Sequence, residues 1–503
     1  MLKLNRLFLQ AVFFMCEIEF LKAKNNSPTC RINGILLHSA YNPEAEAKKF
    51  VDSMQPISFN PKYILIIEPA LSYAIPFLKE KFPETKICAV RFSKDFQKYD
   101  NLFSKTFYYS ENTEKLFEKE LNDFLGEDGI LYTSFLQWTP TTKIFESEST
   151  KVWNIIKNCI NLSQSVLNTK AYFSKRWIKN SFNLIKNISK TAAIQKGSSD
   201  IVICASGTSL KNSISDLKRI RNDIFLIAVS SALSVLIKNN IKPDLVISTD
   251  GGFWAKKHLK ALLKNTDIPL AVSAESNVPK KVFKNTAIIP LHYPDGTGSF
   301  LLEKLQIPYI NAERNGTVSG TAEKLALSIT TGNVYFLGLD LNAGIGLQHT
   351  DPNELEMENS TTDSRISSKE SRISKSRFNS NSLKVYENWF SMQNEEISKR
   401  VFRLSRNFKY QNKLGTIKDI DFSEVKINSK ALLPQIKQIQ MSSKAVNFEL
   451  KNLLENENFL SECFPVEYLM YSREADETQK QAKYEEICKK ASSFINSISG
   501  ESI

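Results

Sequence analysis

Ser206, Gly207, Thr208 and Ser209 end the stretch IVICASGTSL at 201–210. Four apolar residues run straight into a small, hydroxyl-bearing turn, and a helix-like segment follows. Gly207 lets the backbone take unusual dihedrals or come within contact distance of a ligand. The first turn of the next helix offers unpaired N–H groups and a partial positive charge, a ready seat for a phosphate. The pattern is neither GxGxxG nor a Walker loop, so a plain strand-to-helix turn capped by Thr208 and Ser209 stands as the other reading. Ser230 and Ser231 close the next apolar run. In PDLVISTDGG, Thr249, Asp250, Gly251 and Gly252 close the one after. A carboxylate and two glycines there lie where open α/β sheets take ligands. Asp250 accepts from ribose or amine groups, orients a nucleophile or holds a metal; alternatively it closes an Asx-turn or caps a helix.

A third small turn, Ser319, Gly320 and Thr321 in NGTVSGTAEKLA, precedes another helix and reads as ligand contact or as a cap. Asp340 ends a strand in GLDLNAGIGLQHT, and His349 sits in the glycine-bearing loop beyond it. The chain has four histidines: His38, His258, His292 and His349. An imidazole is the natural general base for a hydroxyl nucleophile. Of the four, His292 and His349 fall in loops after strands of the centre. Either is equally readable as a hydrogen-bonded structural imidazole.

The elements that must carry these residues follow from hydrophobic patterning. Residues 199–350 hold the strand candidates DIVICA, IFLIAVS, PDLVIST, IPLAVSA, TAIIPL and NVYFLGL. Their continuous Val/Ile/Leu runs suit strands buried on both faces of a parallel sheet. Helix-like pieces (SISDLKRIR, SALSVLIKNN, FWAKKHLKALLKN, GTAEKLALSITTG) separate several of them. The expected class is α/β, with a doubly wound, Rossmann-like domain at 199–350. An N-terminal extension (1–27) leads into a smaller α/β domain at 28–164. There GILLHSA, YILIIEPA and KICAVRF alternate with helices such as NPEAEAKKFVDSM. An amphipathic stretch puts Trp153, Ile156, Cys159 and Ile160 at helical spacing and leads into a helical connector at 165–198. Residues 351–382, rich in serine and charge, read as a linker. A mainly helical C-terminal domain is expected at 383–503, from SLKVYENWFSMQNEEISKRVFRL, KAVNFELKNLL and ETQKQAKYEEICKKASSFINSI.

Composition narrows the classes. With 503 residues, 42% of them hydrophobic, the chain is long enough for several cores. The net charge is +12, but lysine is scattered rather than clustered with aromatics on one face, so nucleic acid is not an expected partner. Seven cysteines show no CxxC and no zinc spacing, which fits a reducing cytoplasm. LFLQAVFF near the start lacks a small-x-small cleavage site, and no apolar run reaches the roughly 18 residues of a membrane span.

Taken together, CASGTSL, AVSSAL, NNIKPDLVISTDGG, SGTAEKLAL and GLDLNAGIGLQHT resemble the motility-associated factor (Maf) family of flagellin glycosyltransferases. ILLHSAYNPEAEAKKF and RLSRNFKYQNKLGTIKDIDF are also similar to that family, so the likeness runs from about Ile32 to Phe422. The family usually has proline where this chain has Thr208. Its N-terminal unit usually carries a GLGYH-like turn. The matching stretch here, EPALSYAI, keeps Tyr73 and lacks the glycines, which leaves the central unit as the active one.

The resemblance implies a central domain like that of bacterial sialyltransferases. It also implies transfer of a nonulosonic acid, pseudaminic or legionaminic, from its CMP-activated form to Ser or Thr of flagellin. Such transfer passes through an oxocarbenium-like state as CMP leaves. Backbone N–H groups around Gly207, with Ser206, Thr208, Ser209, Ser319 and Thr321, would steady the departing phosphate. His349, or else His292, would deprotonate the acceptor, and Asp250 would orient acceptor or sugar, or act as base itself. No metal or other cofactor is required on this reading. The family also shares its core with an archaeal-type hydroxymethylpterin diphosphokinase. That alternative needs ATP and Mg²⁺, with Asp250 and Asp340 as ligands. A flagellin-binding scaffold without catalysis is the third possibility.

Overall fold

A computed structural model describes residues 18–55, 57, 59–341, 344–378, 381–440 and 450–499. LFLQAVFF, Cys16 and the rest of 1–17 lie outside the described residues. The chain divides into two compact units. One comprises Met1–Tyr172 with Phe464–Lys490, the other Phe173–Cys463 with Ala491–Ile503.

In the first unit, β1 (Ile18–Lys22), β2 (Pro28–Ile32) and β3 (Ile35–Leu36) form an antiparallel sheet. A parallel sheet is built from β4 (Tyr63–Ile67), β5 (Lys86–Arg91), β6 (Lys105–Tyr108) and β7 (Thr133–Gln137), in the order β6-β5-β4-β7. Side chains alternate across its two faces. Ile66, Ile87 and Ala89 join one core; Leu65, Ile67, Cys88 and Val90 join the other. The helix Pro43–Asp52 begins where Asn42 accepts from the Glu44 and Ala45 N–H groups, as a preferred N-cap should. One helix covers Glu146–Asn187, and its Val152, Ile156 and Cys159 lie on the face turned to the β4–β6 core.

The second unit is organised by an 11-stranded sheet. Its strands are β8 (Lys190–Gln195), β9 (Ile201–Cys204), β10 (Phe225–Val229), β11 (Leu245–Ser248), β12 (Leu270–Ser273), β13 (Ile288–His292), β14 (Ile310–Asn311) and β15 (Val334–Leu337). A separate antiparallel pair, β16 (Gly344–Ile345) with β17 (Arg377–Phe378), lies off that sheet. The sheet resumes with β18 (Val401–Ser405), β19 (Lys418–Asp421) and β20 (Gln435–Gln440). The order is β19-β18-β15-β9-β10-β11-β12-β13-β8-β20, with β14 beside β13; only β20 runs antiparallel to its neighbour. Every residue of β9 to β13 and of β15 is buried, as expected of strands covered on both faces. From β9 the chain winds to β13 on one side, then returns at β15 on the other and continues to β19. The two directions part between β9 and β15, and a doubly wound sheet opens its ligand crevice at such a point.

The fold class stands as expected; the boundaries differ. The helical connector at 165–198 is not a separate piece: helix Glu146–Asn187 is shared between the units, and β8 is a strand of the large sheet. The central unit does not stop at 350, because β18, β19 and β20 complete its sheet. The last residues of SLKVYENWFSMQNEEISKRVFRL are therefore strand; helices cover Asn381–Ser391 and Glu395–Ser398. The linker 351–382 carries short helices, Glu354–Asn359 and Lys369–Lys375. The C-terminal region is helical from Glu457, but its helices are shared: Glu457–Cys463 belongs to the second unit and Pro465–Arg473 to the first. Of KAVNFELKNLL, the residues up to 449 lie outside the described set; Leu450–Glu455 forms a 3₁₀ helix.

Candidate active site

The β9–β15 crevice is held by backbone. Ala205 N–H donates to Leu337 O at 2.8 Å and Gly207 N–H to Gly338 O at 2.8 Å. A Cβ on Gly207 would lie 2.5 Å from both Asp340 Cγ and Gly338 O, so glycine is required here by close approach. Its φ is an ordinary −62°. The group approaching is the chain's own carboxylate. Asp340 Oδ2 accepts from Ser209 N–H at 3.0 Å and from Thr208 Oγ1 at 3.2 Å, and Oδ1 accepts from the Ser209 hydroxyl. The anion seat expected for a phosphate at Thr208 and Ser209 is thus occupied by Asp340. Asn412 Nδ2 donates to the carbonyls of Asp340 and Leu341 at 3.2 and 3.1 Å, fixing this strand end from the loop before β19.

Ser206 faces another way. Its Oγ is 2.7 Å from His349 Nδ1 and accepts from Ser231 Oγ at 2.9 Å. Thr350 N–H donates to Ser206 O at 2.7 Å, and the Thr350 hydroxyl donates to Gly207 O, so the loop carrying His349 is strapped to the turn after β9. Beside this group stands a second imidazole. His258, the last residue of helix Phe253–His258, places Nδ1 2.5 Å from Glu354 Oε2, and Ser234 donates to the other Glu354 oxygen. The His258 and His349 ring centroids are 6.5 Å apart at 80°. Burial pushes His349 down to about 4, helped by His258 and opposed by Glu354, so it is neutral at pH 7. Burial would raise Glu354, but the hydrogen bonds from His258 and Ser234 outweigh it, and the carboxyl lies below its ordinary range.

The other candidates are placed as follows. Ser230 is buried at the tip of β10. Thr249 is half-buried, and Asp250 is exposed with Oδ1 accepting from Gly252 N–H at 2.7 Å, an Asx-turn. No hydrogen bond among the described residues joins Asp250 to Ser206 or His349. Gly251 is a packing residue: its Cβ would lie 2.5 Å from the Trp177 ring, and Asn180 Nδ2 bonds the Gly251 and Glu275 carbonyls. Ser319, Gly320 and Thr321 open helix Val318–Ile329. Gly320 backs onto Trp389, and Thr321 Oγ1 turns back to Thr317 O. His292, four strands from β9, donates or accepts at Glu303 (2.7 Å) and stacks on Tyr309, apart from the Ser206 group.

The family model described as 6-hydroxymethylpterin diphosphokinase MptE-like matches residues 175–345. Over 296 residues, 58% of the chain, the sequence is 30% identical to an uncharacterized protein of Treponema pallidum (strain Nichols); the match spans 64% of that relative, just under two thirds. The structure of the MAf glycosyltransferase from Magnetospirillum magneticum AMB-1 superposes with a TM-score of 0.55 at 12% identity, covering 96% of this chain and 91% of that one. The chain has the Maf glycosyltransferase fold.

Within this Maf fold, two residues of the site were missed from sequence. His258 lies on a helix rather than in a post-strand loop. Glu354 lies in the segment read as a solvated linker. The readable signal was position: His258 closes the six-residue helix Phe253–His258 that starts from the Asp250 turn at the ligand edge. A further charged group went unread at the tips of β12 and β13. Arg314 Nη2 donates to Glu275 Oε1 at 3.1 Å and Nε to Asp295 at 3.2 Å, and Glu462 Oε2 accepts from Thr297 N–H at 2.6 Å. Burial, with Glu275 nearby, raises Glu462 to about 7.

The first unit has its own switch point, between β4 and β7, and it is filled. Glu68 and Arg91 are both fully buried and pair at 3.1 Å. Arg91 also donates to Ala70 O at 2.7 Å and Ser72 Oγ at 2.8 Å, and Phe92 N–H donates to Glu68 Oε2 at 2.6 Å. Glu68, Ala70 and Ser72 hold φ of +38°, +46° and +65°, the left-handed backbone that glycines would supply at no steric cost.

Proposed function

We propose that this protein is a glycosyltransferase that moves a nonulosonic acid from a CMP-activated donor to Ser or Thr hydroxyls of flagellin, acting in the cytoplasm. The observation that carries the reading is the Ser231–Ser206–His349 chain at the β9–β15 switch point, in a chain with the Maf fold over 96% of its length. Hydroxyl and imidazole groups gather where a doubly wound sheet takes its ligand. On this reading Ser206, Ser231 and His349 meet the nucleotide phosphate. Thr208, Ser209 and Asp340 hold the turn in shape, and Asp250, exposed on the same edge, meets acceptor or sugar hydroxyls. Six free cysteines among the described residues are in keeping with a reducing compartment. Among the described residues, no helix is long and apolar enough to cross a membrane.

The MptE-like match favours a second reading, diphosphoryl transfer from ATP to a hydroxymethylpterin. That chemistry uses Mg²⁺ between carboxylates and phosphates. Asp340 has both oxygens engaged by Ser209 and Thr208, and Asp250 closes its own turn. Both carboxylates are thus engaged within the chain's own turns, and this reading is placed second.

The test is direct. Purified protein is incubated with CMP-pseudaminic or CMP-legionaminic acid and unmodified flagellin, and intact flagellin mass is measured. A mass gain of one or more sugar residues with release of CMP is expected. Unchanged flagellin, together with pterin diphosphate formed from ATP, would replace the first reading by the second.

A further inference from the structure

We propose that His258, oriented by Glu354, is the base that takes the acceptor proton, while His349 serves the departing phosphate. This rests on the transferase reading above. The two imidazoles present opposite polarity. An ionised carboxylate only accepts, so the Nδ1 of His258 facing Glu354 carries a proton, and in the neutral form of the ring Nε2 is the nitrogen with the lone pair. Ser231 donates to Ser206, and we assign the Ser206 hydrogen to Nδ1 of His349, which places the single proton of that neutral ring on Nε2. Neither Nε2 has a hydrogen-bond partner among the described residues. One ring therefore offers an acceptor and its neighbour a donor, with centroids 6.5 Å apart.

The same geometry decides which ring bears a positive charge. A proton taken by His258 is compensated through its direct bond to Glu354, as the carboxylate of a catalytic triad compensates its imidazolium. Among the described residues, a proton taken by His349 would meet no hydrogen-bonded carboxylate; its ring partner is Ser206. The surroundings of His258 are otherwise apolar or paired: Trp254 lies beside its ring, and Lys257 on the same helix is bound to Glu358.

In the step itself, the bond between the anomeric carbon and the phosphate oxygen breaks, and its electron pair leaves with CMP. The acceptor oxygen forms the new bond to that carbon, and its proton passes to Nε2 of His258. The leaving phosphate oxygen receives a hydrogen bond from Nε2–H of His349. The imidazolium returns its proton to solvent once the product has left.

The test uses the full chain, CMP-pseudaminic or CMP-legionaminic acid, whichever the wild-type protein transfers, and purified flagellin. His258→Gln should lower kcat roughly 100- to 10,000-fold, the span of a general base, with donor KM within about twofold. Glu354→Gln removes the charge that favours imidazolium, so the acidic limb of the pH profile should move to lower pH while the plateau falls. If His258→Gln does not fold, the Glu354→Gln profile decides alone. An active wild type with full transfer by His258→Gln, or an unshifted limb in Glu354→Gln, overturns the assignment and leaves the transferase reading intact. A wild type inactive with both donors removes that reading and this assignment with it.

Discussion

The two switch points of this molecule solve one geometric problem in opposite ways. At each, a parallel strand ends in a small turn, and a doubly wound sheet leaves a crevice there. After β4 the crevice is closed by a buried Glu68–Arg91 pair, whose hydrogen bonds hold three non-glycine residues in left-handed backbone. After β9 the backbone is ordinary, Asp340 takes the helix-end donors, and Ser206 and His349 are turned toward a second imidazole. The first crevice has spent its carboxylate and guanidinium on each other and on the turn, leaving the buried Nδ1 of His38 without a hydrogen-bond partner there; among the described residues the second keeps a ring nitrogen unengaged on each of two neighbouring imidazoles. Topology supplies the position, and side-chain satisfaction decides whether the position is a site.

Arg91→Leu is the strongest way to break this contrast. It strands a buried carboxylate, which by the cost of halving a buried ion pair removes about 3–5 kcal/mol. Chemical denaturation should show the loss in the first unit, with CMP binding by the second retained. A loss below about 0.5 kcal/mol would mean the pair does not hold the turn, by the spread of ordinary surface substitutions.

Gly207→Ala should cost about 1–3 kcal/mol, because the new methyl meets Asp340 and Gly338. Asp340→Ala should cost a similar amount, about 1.5–3 kcal/mol, by leaving Ser209 N–H and two hydroxyls unpaired. In the double variant the methyl occupies space that the carboxylate vacated, so the sum should fall short of additivity by 0.5 kcal/mol or more, at the scale of coupled neighbours. Strict additivity in denaturation midpoints would show that the two do not touch.

Acid sharpens the comparison with a smaller effect. Burial lowers His38 in the first unit to about 3 and His349 in the second to about 4. Between pH 6.5 and those values the unfolded chain binds protons that the folded chain refuses, so stability falls as pH falls. One pH unit below 6.5, each histidine should remove about 1.4 kcal/mol. His38 Nε2 accepts from Leu71 N–H at 3.0 Å, and this bond is lost when the ring is protonated. Buried carboxyls such as Glu462 and Glu323 are raised to about 7 and gain stability over the same range, so the loss is read as a difference. Denaturation curves at pH 7.5 and 5.5 are compared between the wild type and a His38→Gln, His349→Gln variant; an equal pH response in both would contradict the burial of these rings.

The strands β9 to β13 and β15 were legible because unbroken apolar runs mark a sheet covered on both faces; the two-residue β14 was not. Those at the margins were not. KDID in β19 and QIKQIQ in β20 lie at sheet edges, where solvent accepts polar side chains and erases the signal. At the site, Ser206, Ser231 and His349 stood out by residue type and their place after strands, and they are hydrogen-bonded to one another. The partnership of His258 with Glu354, 96 residues apart, depends on how a polar strap crosses a helix. No local pattern encodes that. Asp340 was noticed, but its role as internal anion was hidden, because sequence cannot tell a chain's own carboxylate from a ligand's phosphate.

The central claim is that the β9 switch point, and not the β4 one, receives the activated sugar. Amide hydrogen exchange with and without CMP measures this directly. Slowed exchange at Ala205–Ser209 and at 344–350, with residues 68–73 unchanged, is the expected result. Protection at 68–73, or none at Ala205–Ser209, would contradict the account.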